Sequence, residues 1–142
     1  MTVKQILDQK GRDVVTVNPA MGTEEAVRFL ADNKIGAVIV TGPGGKIAGI
    51  LSERDIVRAV ASKGAKALAA PISSFMTAKV TTCGEDYTIN QVMELMTNGR
   101  FRHLPVEKDG ALVGVISIGD VVRRRIEDVE REAEEIKAYI AG

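Results

Sequence analysis

Gly49-Ile50-Leu51-Ser52-Glu53-Arg54-Asp55, residues 49–55, decides the fold because the chain repeats this pattern 65 residues later. The second copy, residues 114–120, reads Gly-Val-Ile-Ser-Ile-Gly-Asp, so glycine, serine and aspartate recur at the same spacing. The same offset, without a gap, superposes further identical pairs, from Val15 on Val80 to Arg58 on Arg123. This internal duplication predicts two similar halves related by a pseudo-twofold axis, with any cleft between them present in two related versions.

Composition fits one compact domain of ordinary size. A chain of 142 residues buries about two-thirds of its unfolded surface. Nineteen basic and nineteen acidic residues cancel, which disfavours nucleic acid or a membrane surface as partner. Cys83 is the single cysteine, which excludes an internal disulfide and agrees with a reducing compartment. With no signal-peptide core and no apolar run long enough to span a bilayer, we expect a cytoplasmic location.

Each copy predicts the element order β-α-β-β-α. The first copy has a strand at residues 14–17, a helix capped by Thr23, a strand at 36–40, a return strand at 47–51 and a helix that Ser52 starts. The second copy has a strand at residues 80–82, a helix from Thr88, strands at 102–106 and 112–116, and a helix from Ser117.

These elements predict a mixed α/β (α+β) fold of two pseudo-symmetric repeats packed through their sheets. The first repeat covers residues 1–62, a linker 63–70, the second repeat 71–125, and an extended amphipathic C-terminal helix 126–142.

The C-terminal helix has an apolar seam spaced four, three, four, three and four residues apart, which is a heptad pattern. Its members are Val122, Ile126, Val129, Ala133, Ile136 and Ile140. The seam covers fewer than three full heptads, so an isolated coiled coil would be marginal. Two interpretations stay open: the helix lies on its own domain, or it pairs with a second chain. A membrane-surface helix is disfavoured because the polar face is as acidic as it is basic.

The Ser-x-x-Asp pair has a structural and a functional interpretation. Serine followed three residues later by an acid is a capping-box pattern at a helix start. Gly49 and Gly114 nevertheless precede it where a ligand could approach the backbone, and the helix N-terminus favours an anion. An aspartate one turn further could accept hydrogen bonds from a ribose diol. The motif therefore also fits a nucleotide site.

Positive charge at the start of one strand supports this second interpretation. Arg102 and His103 open the segment 102–106, whereas the counterpart at residues 37–41 has no cation. Cationic side chains there are natural phosphate partners. One histidine and one cysteine make a poor metal site, and the serine turn lacks the nucleophile elbow of a hydrolase. We therefore predict no metal and no catalytic residue.

The repeat order, residues 49–55, Arg102-His103-Leu104-Pro105-Val106 and residues 114–120 resemble a tandem pair of cystathionine-β-synthase (CBS) domains, called a Bateman module. The resemblance covers roughly residues 3–125 and implies a stand-alone regulatory module that is not an enzyme. Family members most often bind AMP, ADP, ATP or S-adenosylmethionine as regulatory ligands, and some bind no known ligand; none of these compounds is an obligatory cofactor.

The resemblance also implies two composite ligand sites. The main site would use the aspartate for ribose, two cations for phosphate, and the other repeat around the base: Thr16, Val17, Gly36, Ala37, Arg102, His103, Ser117 and Asp120. The second site would use Ser52, Arg54, Asp55, Thr81, Thr82 and Phe101. Without a cation at Ala37 or Val38, its phosphate partner would be Arg54.

The expected function is therefore sensing an adenine nucleotide and signalling through a homodimer or an effector protein. The alternative is a purely structural dimerisation module, in which the Ser-x-x-Asp motifs are only helix caps.

Overall fold

The computed structural model describes residues 1–141, in which helices and strands alternate along most of the chain. The α-helices are α1 (Val3–Lys10), α2 (Thr23–Asn33), α3 (Glu53–Lys63), α4 (Ile89–Gly99) and α5 (Ile118–Ala141). The strands are β1 (Thr16–Val17), β2 (Ala37–Thr41), β3 (Ile47–Ser52), β4 (His103–Lys108) and β5 (Ala111–Ser117). The predicted mixed α/β fold class is confirmed.

The chain divides into two compact units that do not coincide with the predicted repeats. The central unit consists of Val14–Thr81 and Asp109–Leu112. The terminal unit consists of Met1–Asp13, Thr82–Lys108 and the chain from Val113 on. Residues 1–13, which the sequence assigned to the first repeat, therefore pack with the second.

The central unit contains a three-stranded sheet in the order β1-β2-β3. β1 runs parallel to β2 with Thr16 opposite Ile39, and β2 runs antiparallel to β3 with Ala37 opposite Ser52. Branched apolar side chains on the sheet and on α2 form its core, which is the usual arrangement for a sheet with one covered face. The core includes Val17, Leu30, Val40, Leu51 and Ile72.

The terminal unit joins α1 to the strands and helices of the second repeat. Val3 N donates to Tyr87 O at 2.9 Å, and Thr2 forms an isolated bridge with Thr88. The apolar face of α1 is buried in a core with α4, α5 and the two-stranded sheet β4-β5. Its fully buried members include Val3, Leu7, Val92, Leu104, Ile116 and Val121.

Two local predictions were wrong. Residues 80–82 form no strand; only Cys83, the next residue, bridges Val106. The cap of α2 is Gly22, whereas Thr23 begins the helix and its buried hydroxyl donates to Ala70 O at 2.7 Å. Helix α1 was not predicted at all. The predicted linker, residues 63–70, contains a short 3₁₀ helix at Gly64–Ala69.

Helix α5 continues to Ala141 with its heptad seam on the surface. The large seam side chains of Val122, Ile126, Val129, Ile136 and Ile140 are between 47% and 78% exposed. The interpretation that this seam lies on its own domain is therefore wrong. No helix within residues 1–141 is both long and apolar enough to cross a membrane.

Candidate functional site

Both Ser-x-x-Asp motifs form complete capping boxes at the starts of α3 and α5. In the first, Ser52 N donates to Asp55 Oδ2 at 2.9 Å and Asp55 N donates to Ser52 Oγ at 3.2 Å. In the second, Ser117 N donates to Asp120 Oδ2 at 2.9 Å and Asp120 N donates to Ser117 Oγ at 3.1 Å. These reciprocal bonds fix both carboxylates at a strand-to-helix turn.

The two motif glycines do not leave the backbone open to a ligand, contrary to the sequence-based expectation. A Cβ atom on Gly49 would lie 2.7 Å from Thr77 O, and one on Gly114 would lie 2.8 Å from a Leu7 methyl carbon. Both glycines are inside strands, where the protein itself occupies the space beside them. Their role is therefore close packing.

The first amide groups of both helices are bonded by the neighbouring strands. Glu53 N donates to Gly36 O at 2.9 Å, and Ile118 N donates to Arg102 O at 2.8 Å. The capping serine accepts a hydrogen bond from the third amide N–H of each helix. The second amide N–H of each helix therefore takes part in none of these bonds. In α5 that amide belongs to Gly119, which is exposed, and a Cβ atom there would meet only Ser117 Oγ, at 3.6 Å.

Lys10, the last residue of α1, binds the carboxylate of Asp120. Its ammonium group lies 2.6 Å from Asp120 Oδ2 and also donates to Val115 O at 3.0 Å. The Asp120 side chain is 13% exposed. Burial raises the pKa of Asp120, but the hydrogen bonds from Lys10 and Ser117 outweigh it and hold the pKa below its ordinary value. Asp120 is therefore an anion at neutral pH.

The environment of Asp55 differs from that of Asp120. Asp55 Oδ1 accepts a hydrogen bond from Thr77 Oγ1 at 3.3 Å, and Asp55 Oδ2 accepts one from Ser52 Oγ at 3.0 Å. Hydroxyl groups thus contact Asp55, whereas an ammonium group contacts Asp120. A small cavity of about 200 Å³ borders Asp55, with Arg58 and Phe75 in its lining.

The eight residues predicted for the main site divide between the two units. Ser117 and Asp120 lie in the terminal unit with Arg102 and His103, which are exposed at the start of β4. The bond from Ile118 N to Arg102 O brings this half together. Thr16, Val17, Gly36 and Ala37 lie in the central unit, where the Val17 side chain is buried in the core.

The residues predicted for the second site divide in the same way. Ser52, Arg54, Asp55 and Thr81 lie in the central unit, and Thr82 and Phe101 lie in the terminal unit. Arg54 and Thr81 are exposed, while Phe101 packs against the core of its unit. Because Ala37 is paired with Ser52, residues assigned to different sites are neighbours in one sheet.

Two polar contacts of the motif aspartates were missed by the sequence interpretation. Lys10 is 110 residues from Asp120, and no local pattern links them. Thr77 is 22 residues from Asp55. The only available signal for Lys10 was the apolar spacing of Val3, Ile6 and Leu7, which indicates a helix ending near a lysine.

Comparison with a family model matches the CBS domain twice, at residues 3–62 and 72–127. Among curated proteins, the chain is 35% identical over 122 residues to the mitochondrial CBS domain-containing protein CBSX3 of Arabidopsis thaliana. That alignment covers 83% of this chain and 59% of the Arabidopsis protein. The chain thus spans less than two-thirds of that relative.

Solved structures of CBS-domain proteins superpose on this chain over nearly their whole length. The CBS-domain containing protein ATU1752 from Agrobacterium tumefaciens is 53% identical, with a TM-score of 0.79 over 88% of this chain and 99% of that chain. The CBS domain pair of protein MJ0100, solved in complex with 5′-methylthioadenosine and S-adenosyl-L-methionine, is 26% identical. Its TM-score is 0.74 over 90% of this chain and 98% of that chain. The duplicated turns, the two family matches and these structures show that this chain belongs to the CBS-domain family, as a pair of CBS domains.

Proposed function

We propose that this chain is a non-enzymatic regulatory module that binds an adenosine-containing nucleotide and reports it through a homodimer or an effector protein. The ligand is AMP, ADP, ATP or S-adenosylmethionine, and the module acts in the cytoplasm. The observation that carries this proposal is the anionic, rigidly capped carboxylate of Asp120, which the bond from Ile118 N to Arg102 O places in one half-site with the exposed residues Arg102 and His103.

The chemistry of this half-site suits a ribonucleotide. A carboxylate accepts both hydroxyl groups of a ribose diol, and such charge-assisted bonds are stronger than neutral ones. The Gly119 amide adds a donor next to it, Arg102 adds positive charge for phosphate, and the exposed ring of His103 adds a hydrogen-bond donor. The complex of the MJ0100 domain pair with two adenosine compounds supports the same ligand class here.

The other predicted residues would complete the main site and form the second site. Thr16, Val17, Gly36 and Ala37 complete the main site around the base, with Val17 contributing through its backbone because its side chain is buried. Ser52, Arg54, Asp55, Thr81, Thr82 and Phe101 form the second site. Since Arg54 is its main cation, we expect the second site to bind phosphate more weakly.

Titration of AMP, ATP, S-adenosylmethionine and adenosine during thermal unfolding tests the proposal. A ligand at about one hundred times its dissociation constant adds about 2.7 kcal/mol of stability, which raises the melting temperature measurably. Asp120→Ala should then weaken calorimetric affinity more than tenfold, because about 1.5 to 3 kcal/mol of charge-assisted bonding is lost.

Two controls keep that result interpretable. Asp32→Ala removes an exposed aspartate of α2 and should leave affinity unchanged. Asp120→Asn keeps a capping oxygen for Ser117 N, so it separates loss of charge from loss of the cap. Unchanged affinity in both Asp120 variants would overturn the site assignment.

The same geometry also favours a second candidate function, a structural dimerisation module without a ligand. Each motif is complete as a helix cap, and Lys10 neutralises Asp120 within the protein. A module of this kind would show no change in melting temperature with any of the four compounds. The titration therefore decides between the two functions.

A further inference from the structure

Helix α5 contacts its own unit with the face opposite its apolar seam. Val121 is buried in the core, and Arg124 Nη1 donates to Gln9 Oε1 of α1 at 3.1 Å. In a heptad with Ile126 at position a and Val129 at position d, these residues occupy positions c and f. The unit therefore holds α5 so that positions a and d are directed away from it.

All the ion pairs within the described part of α5 lie at positions b, c and f, although Glu134 and Glu135, also at b and c, take part in none. Arg124, Glu127, Asp128 and Arg131, at positions b, c and f, form ion pairs with one another along the helix. The ion pairs among residues 1–141 do not include Arg125, Glu130, Glu132 or Lys137, which are exposed. These four lie at positions e and g, which flank the seam and contact a partner helix in a coiled coil.

A parallel, in-register partner of the same sequence would match these charges. In such a pair, each g residue lies beside the e residue five positions further along the other helix. Arg125 would then meet Glu130 of the second copy, and Glu132 would meet its Lys137. Twofold symmetry repeats both contacts, so the seam would be flanked by attractive pairs on both sides.

An antiparallel partner would place like charges together. The seam is symmetric in spacing, so antiparallel helices could also bury it, with Val122 opposite Ile140. Positions e would then face e, and g would face g, which brings Arg123 next to Lys137. Glu130 and Glu132 would each meet their own counterpart, and like-charge contacts of this kind are destabilising.

We infer that α5 pairs with α5 of a second copy of this chain, parallel and in register, through Val122, Ile126, Val129, Ala133, Ile136 and Ile140. This inference rests on the homodimer in the proposed function and specifies its geometry. Ala133, in the middle of the seam, favours two helices because the wider core of a larger bundle would leave a cavity beside it. With Val129 rather than leucine at position d, the helical pair is weak by itself and adds to contacts made elsewhere.

Charge exchange on the full-length protein tests the orientation. Arg125→Glu and Glu130→Arg should each weaken the dimer about tenfold in sedimentation equilibrium, because two attractive pairs per dimer become repulsive. The double variant Arg125→Glu/Glu130→Arg restores opposite charges in the parallel pair, so its dissociation constant should return close to that of the wild type. If the double variant is as weak as the single ones, or the single ones are unaffected, the parallel pair is wrong.

Cysteine crosslinking gives a second measurement that does not depend on charge. Val129→Cys should form an intermolecular disulfide rapidly under mild oxidation, because parallel helices in register place position 129 opposite itself. Arg131→Cys, on the far side of α5, is the matched control and should not crosslink. The native Cys83 is buried, so the wild type measures any crosslinking that occurs without an introduced cysteine. Absence of the Val129→Cys disulfide in a dimeric sample would overturn the inference.

The outcomes separate this inference from the rest of the proposed function. A dimer without the disulfide refutes only the parallel pairing, and a monomeric wild type refutes both the pairing and the homodimer. A trimer or tetramer, which isoleucine at both seam positions can favour, refutes the two-helix form. Nucleotide titration is measured independently and is unaffected by any of these results.

Discussion

Lys10 distinguishes the two otherwise similar Ser-x-x-Asp turns at the scale of single residues. It gives Asp120 an ammonium partner, whereas within residues 1–141 the donors to Asp55 are hydroxyl groups and a backbone amide. A ligand diol that binds Asp120 must share this carboxylate with Lys10 or displace it. Duplicated motifs therefore need not have equal affinities.

Lys10→Met should raise the pKa of Asp120 toward its ordinary value, because the strongest of the interactions that lower it is removed. Since the folded pKa of Asp120 is lowered, its pairing stabilises the protein above the ordinary pKa and is lost as the pH falls through the folded value. Carbon-detected NMR titration of the carboxylates measures the change. Lys4→Met, which removes the partner of Asp8 from the same helix, is the control and should leave Asp120 unchanged.

Arg102→Ala/His103→Ala should weaken ATP binding far more than adenosine binding, because adenosine offers no phosphate to Arg102 and His103. Calorimetric titration of both compounds provides the comparison. Lys108→Ala, at the other end of β4, removes a cation from the same strand and should affect neither. Equal losses for adenosine and ATP would show that Arg102 and His103 support the strand rather than the phosphate.

At the scale of elements, the motif glycines allow β3 and β5 to pack closely against neighbouring segments. Residue 49 faces a backbone carbonyl, which cannot move without the chain, whereas residue 114 faces a leucine side chain. Both repeats therefore need a residue without a side chain at this position, but the neighbouring group that would clash with one differs between them.

Gly49→Ala should destabilise the protein by about 1 to 3 kcal/mol through overpacking, and by more than Gly114→Ala. The reason is that the Leu7 methyl groups can shift, while Thr77 O is held in a backbone bridge with Ile50. Urea unfolding of the two variants measures the difference. A larger loss for Gly114→Ala would contradict the argument and indicate that the Leu7 side chain is more tightly confined than the backbone.

The sequence predicted most elements but few of the contacts between them. Periodicity and capping residues correctly indicated α2 to α5, and apolar runs indicated β2 to β5. Residues 80–82 were wrongly assigned as a strand because β-branched residues were taken as sufficient, although only Cys83 finds a partner. The salt bridge from Lys10 to Asp120 depends on tertiary packing across 110 residues, which no local pattern encodes.

On the scale of the whole molecule, the exposed seam of α5 is a continuous apolar stripe on the surface. Ile126→Glu/Val129→Glu should convert a homodimer into a monomer, because two buried carboxylates per chain would lack partners. Light scattering at tens of micromolar measures the mass. Ala138→Glu places the same charge on an exposed part of α5 away from the seam and should leave the dimer intact. A charged seam variant that remains an equally tight dimer would exclude this helix from the interface.

The segments of the terminal unit lie far apart in the chain, which affects the order in which they are synthesised. Helix α1 leaves the ribosome before the rest of that unit, yet the Val115 carbonyl that receives Lys10 is made 105 residues later. At typical rates of translation, this delay is about 5 to 20 s. The central unit is complete within that interval, while the core that covers Val3, Ile6 and Leu7 still lacks Ile116 and Val121. We therefore expect nascent α1 to be the segment that a chaperone binds.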